Sequence, residues 1–383
     1  MNWDFLIKGK DALHVTTDSR KVTPGCVFVA LKGEHFDGNA FVEQAKAQGA
    51  EYVICGENAL KELQDLARAW RRALGLPILG ITGTNGKTTT KELCAAVLST
   101  KYNLYYTQGN LNNQLGVPLT LLSITRAHEM AIVEMGASHP GDIKELVDIA
   151  EPDFGLITNV GKAHLQGFGS FEGVMATKAE LYDYLRTHGG YCFRNTDNPY
   201  LAQMAGDLKT IAYRTGTMPE GTHLVGAYNA ENISAAICVG KHFGISKEEA
   251  LAAIRAYVPS NNRSQFMQTD RNAVVVDAYN ANPTSMQAAI NAFKGNCYIL
   301  GAMRELGDYS HLEHQNIVNM LLERKADKVL LVGEEYKQTT APYPIFDDVE
   351  ALCEYLQKEP LIGYHILLKG SRSNQLEKVI PLL

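Results

Sequence analysis

The chain has 383 residues, 45% hydrophobic and 20% charged, with a formal net charge of −6; that is too long for one hydrophobic core, so two or three domains are expected. The negative balance, with lysines and arginines scattered rather than clustered, argues against a nucleic-acid-binding class. Seven cysteines without a Cys-x-x-Cys pair read as reduced thiols, with small buried apolar positions as their default role.

The start, Met1-Asn2-Trp3-Asp4-Phe5, lacks the charged and apolar stretches of an export signal. No apolar run approaches the ~20 residues of a membrane span, so a cytoplasmic protein with no membrane span is expected. To Pro77 the chain alternates short elements. Cys26–Leu31 and Tyr52–Cys55 read as strands, Ala40–Gln48 and Ala59–Leu74 as helices, and Gly75-Leu76-Pro77 punctuates.

The apolar run Ile78-Leu79-Gly80-Ile81-Thr82 then leads into Gly83-Thr84-Asn85-Gly86-Lys87-Thr88-Thr89. A strand breaking into a Gly-rich turn and then a helix makes a phosphate cradle, because glycines admit the polyphosphate and N–H groups point at it. The helix continues as an amphipath through Leu93, Ala96 and Val97. Lys87 is placed to reach the β- and γ-phosphates, and the Thr88 hydroxyl to ligate Mg²⁺. The spacing departs from the standard Walker A pattern, since Ile81 stands where the first glycine belongs. The pattern points to ATP.

Met130–Met135 and Phe154–Thr158 are near-continuous apolar strands, as in a parallel sheet covered on both faces. Ligands of open α/β sheets sit at the carboxyl ends of strands. Glu134 lies at one such end, and Asn159-Val160-Gly161-Lys162-Ala163-His164 follows another. A lone histidine is ordinarily a surface or satisfied one, but beside the phosphate loop His164 is a metal-ligand candidate with Glu134 and Thr88. In the expected helix Phe171–Arg186, Lys178 falls on the apolar stripe of Val174, Leu181 and Leu185. Such a lysine ordinarily snorkels along its stem; the alternative is a desolvated amine of lowered pKa, open to modification or chemistry.

Pro259-Ser260-Asn261-Asn262 reads as a linker. Beyond it, strands are expected at Ala273–Asp277, Cys297–Leu300, Lys328–Val332 and Ile366–Leu368, several ending in glycine, a Rossmann-like outline without a dinucleotide fingerprint. The expected fold is α/β with three domains. These are a small mixed α/β N-terminal domain (1–77), a central P-loop-type parallel-sheet ATPase domain (78–262) and a Rossmann-like C-terminal domain (263–383).

The run Gly109-Asn110-Leu111-Asn112-Asn113-Gln114-Leu115-Gly116-Val117-Pro118-Leu119-Thr120, together with the phosphate loop, resembles the Mur ligases of peptidoglycan synthesis. Further matches are Asp18-Ser19-Arg20, Glu134-Met135-Gly136-Ala137, Asn159–His164, Asp277-Ala278-Tyr279-Asn280-Ala281-Asn282-Pro283, Gly301-Ala302-Met303-Arg304-Glu305-Leu306-Gly307 and Lys369-Gly370-Ser371-Arg372. They run through all three expected domains, and they are nearest to the members that add D-alanyl-D-alanine to a UDP-N-acetylmuramoyl-tripeptide.

The resemblance implies that Ser19 and Arg20 meet the UDP end of that substrate and that Asn110, Asn112 and Asn113 face the muramoyl-peptide near its reacting carboxylate. Thr88 and Glu134 would ligate one Mg²⁺ and His164 a second. Lys178 matches a family lysine that is carbamylated to reach the second metal. Asn232 matches a position near adenine, while Arg263, Asp277 and Asn280 match positions that contact ATP once domains close. The implied reaction is ATP-dependent amide formation through an acyl phosphate, by a monomer.

Two departures accompany the resemblance. Only Arg214 to Gly226 separate Thr210–Tyr213 from Ala227-Tyr228-Asn229, where the family places several more strands, which suggests a trimmed sheet edge. Asn261-Asn262 precedes Arg263 where many relatives have glycine, at the expected hinge. Competing readings are a Mur ligase adding a single amino acid, a folylpolyglutamate synthetase, a simple P-loop kinase or NTPase, and a non-catalytic Mur-like nucleotide-binding subunit. The first two are not expected to carry Asn110–Asn113 together with Gly301–Gly307, and the P-loop kinase leaves the terminal motifs unexplained. A non-catalytic subunit should lack metal or carbamate residues, yet Thr88, Glu134, His164 and Lys178 are all present.

Overall fold

The computed structural model describes residues 2–259 and 263–383; the end of the expected linker, residues 260–262, and the hinge departure at Asn261-Asn262 lie outside the described residues. The first sheet is three short parallel strands in the order β1 (Val15–Thr16), β2 (Val27–Val29) and β3 (Tyr52–Ile54). Strand β2 is buried on both faces: Val27 and Val29 enter the main core while Phe28 packs with Ala30 and Ala45, as a two-residue repeat requires.

Helix Ala59–Leu74 carries Leu63, Leu66, Ala67 and Trp70 on one buried stripe and stops at Gly75, whose left-handed φ of 65° closes the last turn. That stripe packs on helices Gly116–Leu122 and Asp142–Ala150, which lie beyond the phosphate loop in sequence. The Trp70 Nε1–H donates to the Ile124 carbonyl at 2.8 Å, and Arg71 pairs with Asp153 at 2.8 Å. One continuous core therefore joins the N-terminal stretch to the next sheet.

The central sheet has six parallel strands: β4 (Ile78–Thr82), β5 (Leu104–Tyr106), β6 (Met130–Glu134), β7 (Phe154–Ile157), β8 (Tyr191–Asn195) and β9 (Thr210–Tyr213). Their order is β5-β6-β4-β7-β8-β9. Strand β4 lies between β6 and β7, so the connections leave it in opposite directions and open a crevice at its carboxyl end. Its residues are all buried because helices cover both faces, with Leu79 and Ile81 in one core and Ile78 in the other. The sheet ends at β9. From Arg214 to Gly226 the chain forms no strand and crosses back to helix Asn229–His242, touching the third sheet by the Leu224–Gln265 bridge.

The third sheet begins with β10 (Gln265–Gln268), antiparallel to β11 (Ala273–Asp277). Strands β12 (Cys297–Gly301), β13 (Lys328–Val332), β14 (Ile345–Phe346) and β15 (His365–Lys369) run parallel to β11 in the order β10-β11-β15-β12-β13-β14. Separate apolar clusters cover its two faces.

The α/β class and the parallel sheets agree with the sequence expectation. Strand β5 went unread because all three of its residues are only half-buried, and β8 because it mixes Tyr191, Arg194 and Asn195 with its apolar residues. The expected helix Ala40–Gln48 opens as a 3₁₀ turn, Gly38–Phe41, before Val42–Ala47. Four of the cysteines are buried as expected, but Cys55, just past the end of β3, is exposed, and Cys238 and Cys353 are only half-buried. Among the described residues no helix is long and apolar enough to cross a membrane.

Trp70→Ala should empty the seam between the Ala59–Leu74 helix and its neighbours and cost about 3–5 kcal/mol. Urea unfolding followed by circular dichroism measures it, with Ile362→Ala, 67% exposed, as a control that shifts stability by no more than ~0.5 kcal/mol.

Candidate active site

The loop after β4 is held by the end of β7. Thr84 N–H donates to the Asn159 carbonyl at 2.9 Å, Asn85 N–H to Asn159 Oδ1 at 3.0 Å, and the Thr158 hydroxyl to the Asn85 carbonyl at 2.6 Å. The two loop glycines answer to steric need. Gly83 has φ 144°, and a Cβ there would sit 1.9 Å from Thr158 Oγ1; Gly86 has φ 79°, and a Cβ would meet Asn232 Oδ1 at 2.5 Å. Helix Lys87–Leu98 starts directly after Gly86, so its first amides face the crevice. Lys87 folds back, its Nζ donating to the carbonyls of Gly83 at 2.8 Å and Thr84 at 3.2 Å. Burial lowers the Lys87 ammonium to about 8, with the Glu134 carboxylate opposing and Arg263 adding to the drop.

Glu134 ends β6 at 1% exposure. Its Oε1 accepts from the Thr88 hydroxyl at 3.2 Å and from Asn112 Nδ2 at 2.9 Å, which ties the phosphate loop and the Asn110–Asn113 segment to one carboxylate. Its backbone N–H donates to Thr107 Oγ1 at 3.0 Å. The other carboxylate oxygen, Oε2, is buried with no hydrogen-bond partner among the described residues, and its nearest cation is Lys91 Nζ at 3.9 Å. Lys91 is itself fully buried, bonded to the Thr107 carbonyl at 2.6 Å and paired with Glu92 at 3.0 Å.

His164 takes a left-handed φ of 48° before the short helix Leu165–Phe168 and pairs through Nδ1 with Glu305 of the third domain. Burial lowers its pKa; the Glu305 charge opposes this, while Lys87 and Lys178 add to it. Lys178 does not snorkel. On helix Phe171–His188 it is only 3% exposed, because the Leu165–Phe168 helix covers it and sets its ammonium 5.6 Å from the Phe168 ring centroid. It has no hydrogen bond or ion pair among the described residues. Burial above all, then the Lys87 charge, pulls it down to about 7.

The third domain closes the crevice. Asn282 Nδ2 donates to Asn85 Oδ1 at 2.8 Å, Lys162 pairs with the fully buried Glu313 at 2.7 Å, and Lys162 N–H donates to Thr284 Oγ1 at 3.0 Å. Asp277 accepts from Lys369 Nζ at 2.6 Å, and the same ammonium donates to the Asn280 carbonyl at 3.1 Å. The cleft between the two domains has a volume of about 800 Å³. Its walls include Thr84 to Thr89, Asn110, Asn112, Asn113, Glu134, His164, Asn232, Arg263, Asp277 and Asn280. Ser19 and Arg20 stand apart from it on the first domain, where Arg20 is paired with Asp18 at 2.8 Å. Lys178 lies beyond the cleft wall. Sequence reasoning passed over Lys91, Asn159, Glu305 and Lys369 as site residues. All but Lys91 sit inside runs that the sequence already singles out, whereas Lys91 announces itself only as a charge on a buried helix face.

Comparison with known proteins follows the same outline. Residues 13–96 match the model of the Mur ligase family catalytic domain, residues 81–223 the Mur ligase middle domain, and residues 262–372 the Mur ligase glutamate ligase domain. The UDP-N-acetylmuramoyl-tripeptide–D-alanyl-D-alanine ligase of Bacillus subtilis is 34% identical, over 96% of this chain and 92% of the relative. Its Escherichia coli counterpart is 32% identical, over 96% and 93%. Among solved structures, the MurF ligase of Thermotoga maritima in complex with ADP superposes with a TM-score of 0.87 at 27% identity, covering 100% of this chain and 98% of that one. MurF from Acinetobacter baumannii superposes with a TM-score of 0.83 at 28% identity, covering 96% and 92%. On the strength of these matches over nearly its whole length, the chain belongs to the Mur ligase family.

Proposed function

We propose that the chain is an ATP-dependent ligase joining D-alanyl-D-alanine to the terminal carboxylate of a UDP-N-acetylmuramoyl-tripeptide. The observation that carries this is Glu134, whose one oxygen bonds both Thr88 of the phosphate loop and Asn112 of the segment expected to face the peptide. Phosphate donor and carboxylate acceptor would thereby meet at one point. The curated relatives bearing this activity in their names support the choice of substrates.

In this proposal Gly83, Thr84, Asn85, Gly86, Thr88 and Thr89 cradle the ATP phosphates, and Lys87 neutralises charge on the transferring phosphoryl group. Asn232, Arg263, Asp277 and Asn280 hold the rest of the nucleotide. Asn110, Asn112 and Asn113 orient the reacting end of the tripeptide, and Ser19 and Arg20 meet its UDP end. The γ-phosphoryl group passes to the carboxylate, giving an acyl phosphate and ADP. The dipeptide amine then attacks the carbonyl carbon, the C–O bond to phosphate breaks, and the amine loses a proton as the amide forms. Positioning supplies most of the rate, and no protein nucleophile is required.

The donor set fits magnesium. A buried Glu134 oxygen without a donor beside the Thr88 hydroxyl is a hard oxygen site. Among the described residues no three His, Cys, Asp or Glu cluster as a metal cage, so phosphate oxygens would complete the shell. Magnesium there would neutralise phosphate charge, and His164 would serve a second ion. Lys178 fits a carbamate. It is buried with no ion pair among the described residues, Asp142 and Glu180 opposing the effect of burial only from a distance, and amine carbamylation needs the neutral form that desolvation favours.

Phosphate release should depend jointly on ATP, a UDP-N-acetylmuramoyl-tripeptide and D-alanyl-D-alanine; equal or faster release with a single free amino acid would instead identify a sister ligase. A second test addresses Lys178. Its folded pKa of about 7 lies below the ordinary 10.5, so the unfolded chain holds the extra proton between those values. Stability is then fully expressed above about 10.5 and lost as pH falls towards about 7. In CO₂-free buffer Lys178→Met should be more stable than the parent near pH ~7, with the gap closing towards pH ~10. A gap independent of pH in urea titrations would contradict the buried, depressed amine.

A further inference from the structure

A second cavity, about 460 Å³, opens beside the main cleft and shares Thr88, Asn110, Arg263 and Tyr279 with it. Its far wall is made by Arg372, Tyr257, Gly109 and Glu92. Two guanidinium groups stand over one aromatic ring there, Arg263 at 3.8 Å and Arg372 at 5.6 Å from the Tyr279 centroid. Neither arginine has an ion pair among the described residues, and Arg263 Nε is buried without a hydrogen-bond partner. The acidic residue of the cavity, Glu92, is already engaged by Lys91 at 3.0 Å. Two like charges sharing one ring without a counter-ion make a receptor for a planar anion, because guanidinium forks match a carboxylate and arginine stacks on aromatic faces.

Resting on the ligase function proposed above, we infer that Arg372, set against Tyr279 and next to the nucleotide-holding Arg263, holds the C-terminal carboxylate of the incoming dipeptide. The anions of the reaction sort by position. The ATP phosphates belong to the loop at Lys87, the UDP diphosphate to the first domain, and the reacting carboxylate to the Asn110–Asn113 segment. The dipeptide must bring its amine to that same segment, and its carboxylate trails by roughly 7 Å, the span of two extended residues. The second cavity starts at Asn110 and Thr88, where the amine would react, and ends at Arg372. Arg372 is exposed, and apart from its place over the Tyr279 ring its side chain has no hydrogen bond or ion pair among the described residues, so its guanidinium is open to substrate.

The experiment is steady-state phosphate release with each substrate varied in turn, using D-alanyl-D-alanine and its C-terminal amide as acceptors. Arg372→Ala should raise the KM for D-alanyl-D-alanine by about 10- to 100-fold, the scale of one lost charge-assisted hydrogen-bonded contact. The KM values for ATP and for the UDP-muramoyl-tripeptide should stay within about two-fold. The parent enzyme should prefer the acid over the amide by a similar factor, Arg372→Ala should lose that preference, and Arg372→Lys should recover part of it. An unchanged dipeptide KM, a rise shared by all three substrates, or a retained preference for the acid in Arg372→Ala would overturn the assignment. No dipeptide-dependent turnover by the parent enzyme would overturn the ligase function itself, an outcome distinct from the other three.

Discussion

Glu134 is a carboxylate at 1% exposure, and a charge in that position costs several kcal/mol unless its oxygens find partners. Three stretches of chain are arranged to supply them. The helix after the phosphate loop brings the Thr88 hydroxyl, the turn after β5 brings Asn112, and Lys91 approaches the remaining oxygen from inside the helix layer. The sheet order makes this meeting possible. Because β4 sits between β6 and β7, the loop that follows it lies against Glu134 on one side and Thr158-Asn159 on the other. The phosphate loop is therefore held by hydrogen bonds from a neighbouring strand end rather than by its own turn alone, and its two glycines follow from how closely Thr158 and Asn232 approach.

The second constraint is the seam between the central and third domains. It is polar: Asn85 with Asn282, Lys162 with Glu313, His164 with Glu305, and Gly161 packed against Thr284. Polar, partly wetted seams of this kind permit rearrangement more readily than an apolar core does. The first and central domains contrast with this, since Trp70, Leu63 and Leu66 share one core with Val117, Leu146 and Ile149. The first two domains thus share one core, whereas the third meets the central domain through polar contacts.

Much of this was legible in the chain. The Ile78–Thr82 run, the glycines that follow it and the Ala59–Leu74 stripe each state a local preference that the fold obeys, because buried parallel strands and amphipathic helices leave a periodic trace. The edge strand β5 and the inner strand β8 leave a weaker trace, the one half-wet and the other interrupted by polar residues. The contacts that assemble the site are long-range, and no local pattern encodes them. Lys178 illustrates the limit: its stripe position was readable, but only the packing of Leu165–Phe168 over it decides between a snorkelling and a buried amine. Lys91 and the paired arginines at Tyr279 are similar, since charge on an inner helix face acquires meaning only once its partners are known.

The central claim is that the Glu134 charge, and not merely its shape, links phosphate loop to acceptor. Glu134→Gln keeps the size of the side chain and an oxygen for Thr88 while removing the charge. Single-turnover formation of the amide at saturating ATP and Mg²⁺ is the most direct measurement, with thermal unfolding run on the same protein. The account predicts a loss of about 10²-fold or more in rate with the fold retained. A glutamine variant that turns over at close to the parent rate would contradict it.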